Sequence, residues 1–216
     1  TSFAQPEERM VTRRFGRDLG IPLGVAAGPH TQLTQNIVAA WLCGARFIEL
    51  KTVQILDSIK VSRPCIDSED LTYNCEWSQE LSLDQSFDEY LKAWVLLHAL
   101  AHRLGMKSPA VLFNMSVGYN LEGIQSEKVQ RFIRRMRSAP EELAQGVAEV
   151  AKVYPAVRDL AIPAEMTNHV TLSTMHGCPP AEIERIALFM LEELGLDTWV
   201  KLNPTLLGPE LLRPLL

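Results

Sequence analysis

The stretch HVTLSTMHGCPPAEIERIALFMLEEL, His169 to Leu194, joins two periodicities through a pair of prolines. Its opening run, HVTLSTM, is mainly apolar and continuous rather than alternating, the pattern of a strand buried on both faces of a parallel sheet. Beyond Pro179 and Pro180, the residues Ile183, Ile186, Ala187, Met190, Leu191 and Leu194 recur at i, i+3 and i+4 and mark one face of a helix. Both prolines suit a first helical turn, where a missing N–H costs nothing. The stretch is therefore a strand running straight into a helix, with two hydroxyls, a histidine and a cysteine at the junction.

Four further runs have the same character: PLGVAAG (Pro22–Gly28), RFIELKTV (Arg46–Val53), AVLFNMSV (Ala110–Val117) and WVKLNPTL (Trp199–Leu206). Segments of helical period lie between them: Ile37, Ala40, Trp41 and Gly44, then Phe87, Tyr90, Leu91, Trp94, Val95 and His98, then Glu141 to Leu160. Strand and helix in alternation predict an α/β fold of right-handed βαβ units. We read it as a (β/α)8 TIM-type barrel, of which this chain holds about the first five βα units. The region at about 54–85 is long, polar and carries Pro64, which predicts a βα-loop excursion of the kind that forms lids. The chain ends on LLGPELLRPLL, where Leu211, Leu212, Leu215 and Leu216 begin an apolar helix. A complete barrel takes roughly 200 residues at minimum and usually about 250; with the long excursion using up length, residues 1–216 are expected to be one partial barrel domain of a longer protein. An open sheet edge at such a cut needs cover from more chain, a partner subunit or a second copy in a homo-oligomer.

Composition narrows the function. The chain is 47% hydrophobic and 22% charged with a net charge of -5, an ordinary globular profile without the basic footprint of a nucleic-acid binder. Neither a membrane span nor a signal peptide is legible, so a cytoplasmic protein is expected. Cys43, Cys65, Cys75 and Cys178 form no CxxC pair, hence no zinc or iron–sulfur loop is written here and no metal site is expected. The basic stretch RFIRRMRS from Arg131 reads as a solvated helix face.

Barrel active sites lie at the carboxyl ends of the strands, and those ends are rich in chemistry. The first offers Ala26, Ala27 and Gly28, small enough for backbone amides to approach a flat ligand, or simply small enough for a tight βα turn. The second offers Glu49, Lys51 and Thr52; Lys51 could meet an anionic ligand atom, act as a Schiff-base nucleophile, or pair with Glu49. The fifth offers Lys201, followed by Asn203. The third offers Asn114, Ser116, Tyr119 and Asn120, the last either a ligand contact or a turn former. Cys178, near a helix N-terminus and two residues from His176, stands where a thiol pKa is ordinarily lowered.

These residues resemble the FMN-dependent dihydroorotate and dihydropyrimidine dehydrogenase superfamily of barrels over roughly Leu19 to Leu207. LGVAAGPHTQLTQNIVAAWLCGARFIELKTVQ, YNCEWSQELSLDQSFDEYLKAW, LSTMHGCPPAEIERI and VKLNPTLLG are similar, more closely, to the N-terminal part of the YgfK-type family, described as selenate reductase subunits. The resemblance implies an oxidoreductase barrel in which Ala26, Ala27 and Gly28 face FMN through their backbone, Thr52 lies beside them, and Lys51 and Lys201 stabilise the reduced ring. It implies that Asn120, with Asn203 near it, recognises a small purine- or pyrimidine-like heterocycle. It also implies that FAD, NAD(P) and iron–sulfur modules follow in the same protein or its partner subunits. Where the superfamily carries Asn and a catalytic base on strand four, this chain has Thr171 and Thr174, which leaves Thr174, His176 and Cys178 as proton-transfer candidates. A catalytically degenerate barrel that scaffolds redox modules, or a Schiff-base lyase using Lys51 or Lys201, are the alternatives.

Overall fold

A computed structural model of the chain describes residues 10–53, 55, 81–174, 178–201, 210 and 213–215. Five parallel strands form one sheet in strict chain order: β3 (Gly24–Val25), β4 (Phe47–Glu49), β5 (Leu112–Val117), β6 (His169–Ser173) and β7 (Asp197–Lys201). This is the α/β, partial-barrel arrangement expected from the five apolar runs. β5 and β6 are buried at every position, as continuous runs covered on both faces should be. β3 is far shorter than PLGVAAG suggested, because Ala27 and Gly28 turn their N–H groups to side chains instead of a ladder.

Helices α1 (Thr34–Leu42), α2 (Leu83–Arg103), α3 (Leu121–Gln125), α4 (Glu127–Arg137), α5 (Pro140–Val150) and α6 (Pro180–Leu188) supply the crossovers. Ser82 and Gln85 close a reciprocal capping box at the start of α2. That 21-residue helix lays Phe87, Tyr90, Leu91, Trp94 and Leu97 on the sheet. The aromatic polar atoms buried there find partners: Trp41 Nε1 donates to the Pro109 carbonyl at 2.9 Å and Trp94 Nε1 to that of Pro163 at 3.0 Å. The expected helix from Glu141 to Leu160 stops at Val150, with Pro155 opening a separate 3-10 turn. RFIRRMRS lies in α4, whose Phe132, Ile133 and Met136 are buried while Arg135 meets Asp84, Asp88 and Glu142. After α6 the backbone makes a π-type turn over Phe189–Glu193. Such a turn shifts the side-chain phase, which leaves Leu191 half exposed although the stripe placed it on the buried face.

An antiparallel hairpin precedes the sheet: β1 (Thr12–Arg14) and β2 (Arg17–Leu19), absent from the sequence reading. Its two turn residues, Phe15 and Gly16, both have positive φ (47° and 72°), the requirement of a type I′ turn. A phenylalanine accepts that conformation here because its ring stacks on His169 at 4.5 Å and meets Trp199 edge-on at 5.4 Å. Arg17 ion-pairs with Glu165. The hairpin thus covers the amino-terminal end of the sheet. The expected excursion at about 54–85 falls largely outside the described residues, as do His176, Asn203, Leu211, Leu212 and Leu216.

Two consequences are measurable. A Cβ built on Gly24 would stand 2.3 Å from the Phe47 carbonyl oxygen and 2.6 Å from Phe47 Cβ, its register partner. Gly24→Ala should therefore push β3 off β4 and lower stability by about 2 kcal/mol or more in urea titration. His169, 2% exposed, is held below the ordinary imidazole pKa first by burial and then by Arg17, against the pull of Asp197, whose Oδ2 lies 3.2 Å from Nδ1. A histidine depressed in the folded state is protonated more readily unfolded, so its contribution is present above about pH 6.5 and lost as pH falls below it. The drop in urea midpoint between pH 7 and pH 5 should be smaller in His169→Gln than in the parent protein.

Candidate functional site

The carboxyl ends of β3, β4 and β7 meet at one carboxylate. Glu49, 8% exposed, accepts the Ala27 N–H at 3.2 Å through Oε2, and Lys201 Nζ lies 3.4 and 3.5 Å from its two oxygens. In a flat sheet β4 and β7 would be three strand spacings, roughly 14 Å, apart. The contact therefore requires the sheet to curl, with Glu49 and Lys201 both turned into its concave side. A cavity of about 470 Å³ opens there, bounded by Gly24, Ala26, Glu49, Thr171, Trp199 and Lys201 and floored by hairpin residues such as Thr12 and Arg14. Among the described residues, Ala26 and Lys201 are the expected site residues that line this cavity.

Lys51 and Thr52 owe their setting to an irregularity. Leu50 N–H donates to the Asn114 carbonyl and Val53 N–H to that of Ser116, so three residues of the β4 segment span two of β5. An extra residue in a parallel pair is a β-bulge, a device that re-aims side chains beside functional sites. The bulged Lys51 is 2% exposed; its N–H turns to the Thr31 carbonyl at 3.4 Å, and its own carbonyl accepts the Tyr90 hydroxyl at 3.2 Å. Thr52 Oγ1 and Ser116 Oγ share a hydrogen bond of 2.7 Å. Gly28 N–H donates to Thr31 Oγ1 at 3.2 Å, and that hydroxyl donates back to the Gly28 carbonyl at 3.1 Å.

Just beyond β6, Thr174 donates its hydroxyl to the Lys201 carbonyl at 2.6 Å, which locks the ends of β6 and β7 together. Thr171 accepts from Asn114 Nδ2 at 2.6 Å. Asn120 is the N-cap of α3, its Oδ1 accepting from Gly123 N–H at 2.9 Å; the turn-former role is thus visible, with the amide nitrogen left for other uses. Tyr119 beside it has φ of 114°, a strained conformation of the kind that collects at functional loops. Cys178 donates to the Tyr119 carbonyl at 3.5 Å, while Glu182 Oε1 accepts the Leu121 N–H at 3.1 Å. The β5 and β6 loops are thereby fastened to one another. Burial pushes the Cys178 thiol above its ordinary pKa, and Glu182 adds to the rise. That corrects the expectation of a lowered value: Cys178 precedes the N-cap, Pro179, and the acidic residue of the first turn faces it.

Sequence reasoning underrated Glu49, weighed only as a partner of Lys51. The signal available was an acidic residue inside an apolar run, which demands a buried counter-charge.

The whole chain, residues 1–216, matches the family described as "Oxidoreductase YgfK, N-terminal TIM-barrel domain", and the chain belongs to that family. It is 48% identical, over an alignment that spans 236 positions with its gaps, to the "Putative oxidoreductase YgfK" proteins of Escherichia coli strain K12 and of Escherichia coli O157:H7; the alignment takes in 99% of this chain and 23% of each relative. The chain thus spans about a quarter of the length of these relatives. Among solved structures, a dihydroorotate dehydrogenase from Eimeria tenella, described as of ligand-free type, superposes with a TM-score of 0.50 at 16% identity, over 95% of this chain and 64% of that one. That likeness is one of fold. Among the described residues, no helix is long and apolar enough to cross a membrane.

Alkylation of Cys178, followed by peptide mapping at increasing pH, should reach half its maximal rate at a higher pH than the cysteine of a short unstructured peptide. A midpoint below that of the peptide thiol would mean that the helix N-terminus governs this cysteine after all.

Proposed function

We propose that this chain is the ring-facing part of an FMN site in a larger multi-cofactor oxidoreductase, moving hydride or electrons between the flavin and a small purine- or pyrimidine-like substrate. The observation that carries this reading is the convergence of Lys201, Glu49 and the Ala27 amide inside the curled sheet. Their fit to a flat heteroaromatic ring lies in the donor set. Ala26 offers a small wall, Lys51 is a second, buried lysine at the bulge that follows β4, and the buried Asn114 Oδ1 has no hydrogen-bond partner among the described residues. Such a site suits a ring whose edge gains negative charge on reduction.

FMN, when bound, would supply the hydride and electron chemistry. The protein's own part is to orient and to place charge. Lys201 and Lys51 face the developing anion, with Ala26, Ala27, Gly28 and Thr52 shaping the ring edge. The Asn120 amide nitrogen addresses the heterocyclic substrate, and Asn203 is the second candidate for that contact. Thr174, His176 and Cys178 are the candidates for proton transfer, and the raised Cys178 pKa makes it a proton donor rather than a resting thiolate. Partner modules carrying FAD, NAD(P) and iron–sulfur clusters would exchange electrons with this domain, in a cytoplasmic protein. A second reading, a degenerate barrel that scaffolds such modules, draws support from Thr174, whose hydroxyl is spent on the Lys201 carbonyl.

The visible spectrum of the full-length protein, with its released cofactor identified by chromatography, tests the choice. FMN should be present, and Lys51→Ala with Lys201→Ala should weaken its binding by about tenfold or more. A full-length protein replete in its other cofactors but without FMN would hand the case to the scaffold.

A further inference from the structure

One charge of the interior still lacks a task. Glu49 is an acid in the middle of an apolar run, buried against the two groups, Lys201 and the Ala27 amide, that the flavin reading directs at the ring. A carboxylate used only to fill space would be a costly choice there, since burial strips it of water. We propose that Glu49 is a positioning residue for the flavin, acting through Lys201: it holds the ammonium and the β3 amide at the ring edge and sets how much of the lysine's charge the ring feels. This inference rests on the flavin reading.

The physics is a competition between two anions for one cation. Lys201 is shared between Glu49 and whatever negative charge arises beside it, and its side chain is 41% exposed, so it is free to lean either way. While Glu49 keeps its charge, part of the lysine's field is neutralised and the reduced, anionic ring is favoured less. An amide at position 49 could still accept from the Ala27 N–H and from Lys201, which preserves the geometry and removes only the charge. The reduced ring should then gain over the oxidised one. A merely structural Glu49 would change the affinity for both redox states equally and leave the reduction potential where it was.

The test uses the full-length protein reconstituted with FMN, with Glu49→Gln and Glu49→Asp beside the parent. The readouts are the dissociation constant of oxidised FMN and the midpoint potential. Glu49→Gln is expected to raise the ratio of reduced to oxidised affinity by about tenfold, which for a two-electron couple is about 30 mV upward. Glu49→Asp, which keeps the charge but draws it back from Lys201, should move the potential the same way by less. FMN bound with an unmoved potential in Glu49→Gln overturns the role of Glu49 and leaves the flavin site standing. Should Glu49→Gln fail to fold, an unmoved potential in Glu49→Asp overturns the role alone. A parent protein that binds no FMN overturns the flavin reading and this inference with it.

Discussion

A carboxylate taken out of water must be compensated where it lies, and Glu49 imposes that demand on the whole domain. Its partners come from the two outermost strands of the described sheet, the Ala27 amide beyond β3 and Lys201 at the end of β7. The amide is at hand on the strand next to β4, but Lys201, three strands away, is reached only because the sheet curls. Much of the remaining architecture follows: the concave side becomes an interior, the helices are confined to the convex side, and the amino-terminal opening has to be covered. The hairpin does this by placing Phe15 against His169 and Trp199. One ion pair and one aromatic cluster, at opposite ends of the strands, thus fix the curvature of a sheet whose hydrogen bonds alone would tolerate a flatter one.

The interior strung between them is polar by the standard of a barrel core, which is ordinarily filled with branched apolar side chains. Glu49, Asn114, Ser116, His169, Thr171 and Ser173 are all buried, while the apolar mass sits between sheet and helices, around Trp41, Ile48, Phe87, Tyr90 and Phe113. Stability and chemistry are thereby separated. The outer layer pays the entropy of folding, and the inner layer is free to hold charge and amide groups. The bulge at Lys51 belongs to the same division, because a regular ladder would have carried the strand past the site without turning the backbone toward Thr31 and Tyr90.

What the sequence revealed and what it hid divide along the range of the interaction. The five strands were legible because continuous apolar runs are a local property of parallel strands, although burial on both faces holds for β5 and β6 and fails at the edge strand β7, where Trp199 and Val200 are exposed. The phase of Leu191 was not, since the π-type turn at Phe189 inserts a residue that no periodicity announces. The hairpin was invisible for a different reason: Phe15 at positive φ makes sense only beside His169 and Trp199, more than 150 residues away in the chain. In the site, the small residues at Ala26–Gly28 and the two lysines could be singled out as charge and shape at strand ends. The partner of Glu49 could not, since Lys51 stands two positions away in sequence and Lys201 is brought close by the curl alone. Cys178 shows the same limit, for its helix N-terminus was readable and the nearby Glu182 that opposes it was not weighed.

The strand-four departure is also easier to understand in three dimensions. By the resemblance drawn from the sequence, Thr171 stands where an asparagine would be expected, which on sequence grounds removes an amide from the site. The structure retains an amide in the same layer: Asn114 on the neighbouring β5 hydrogen-bonds Thr171 at 2.6 Å and keeps its Oδ1 buried and unpartnered among the described residues. An acceptor left in that state costs about 1–3 kcal/mol, so a molecule that brings a donor to it gains that much over one that does not. Recognition built on Asn114 would come from one strand over and favour N–H or O–H groups on the ring. The change at Thr171 therefore weighs against the superfamily's usual substrate contacts without weighing against a polar heterocycle as such.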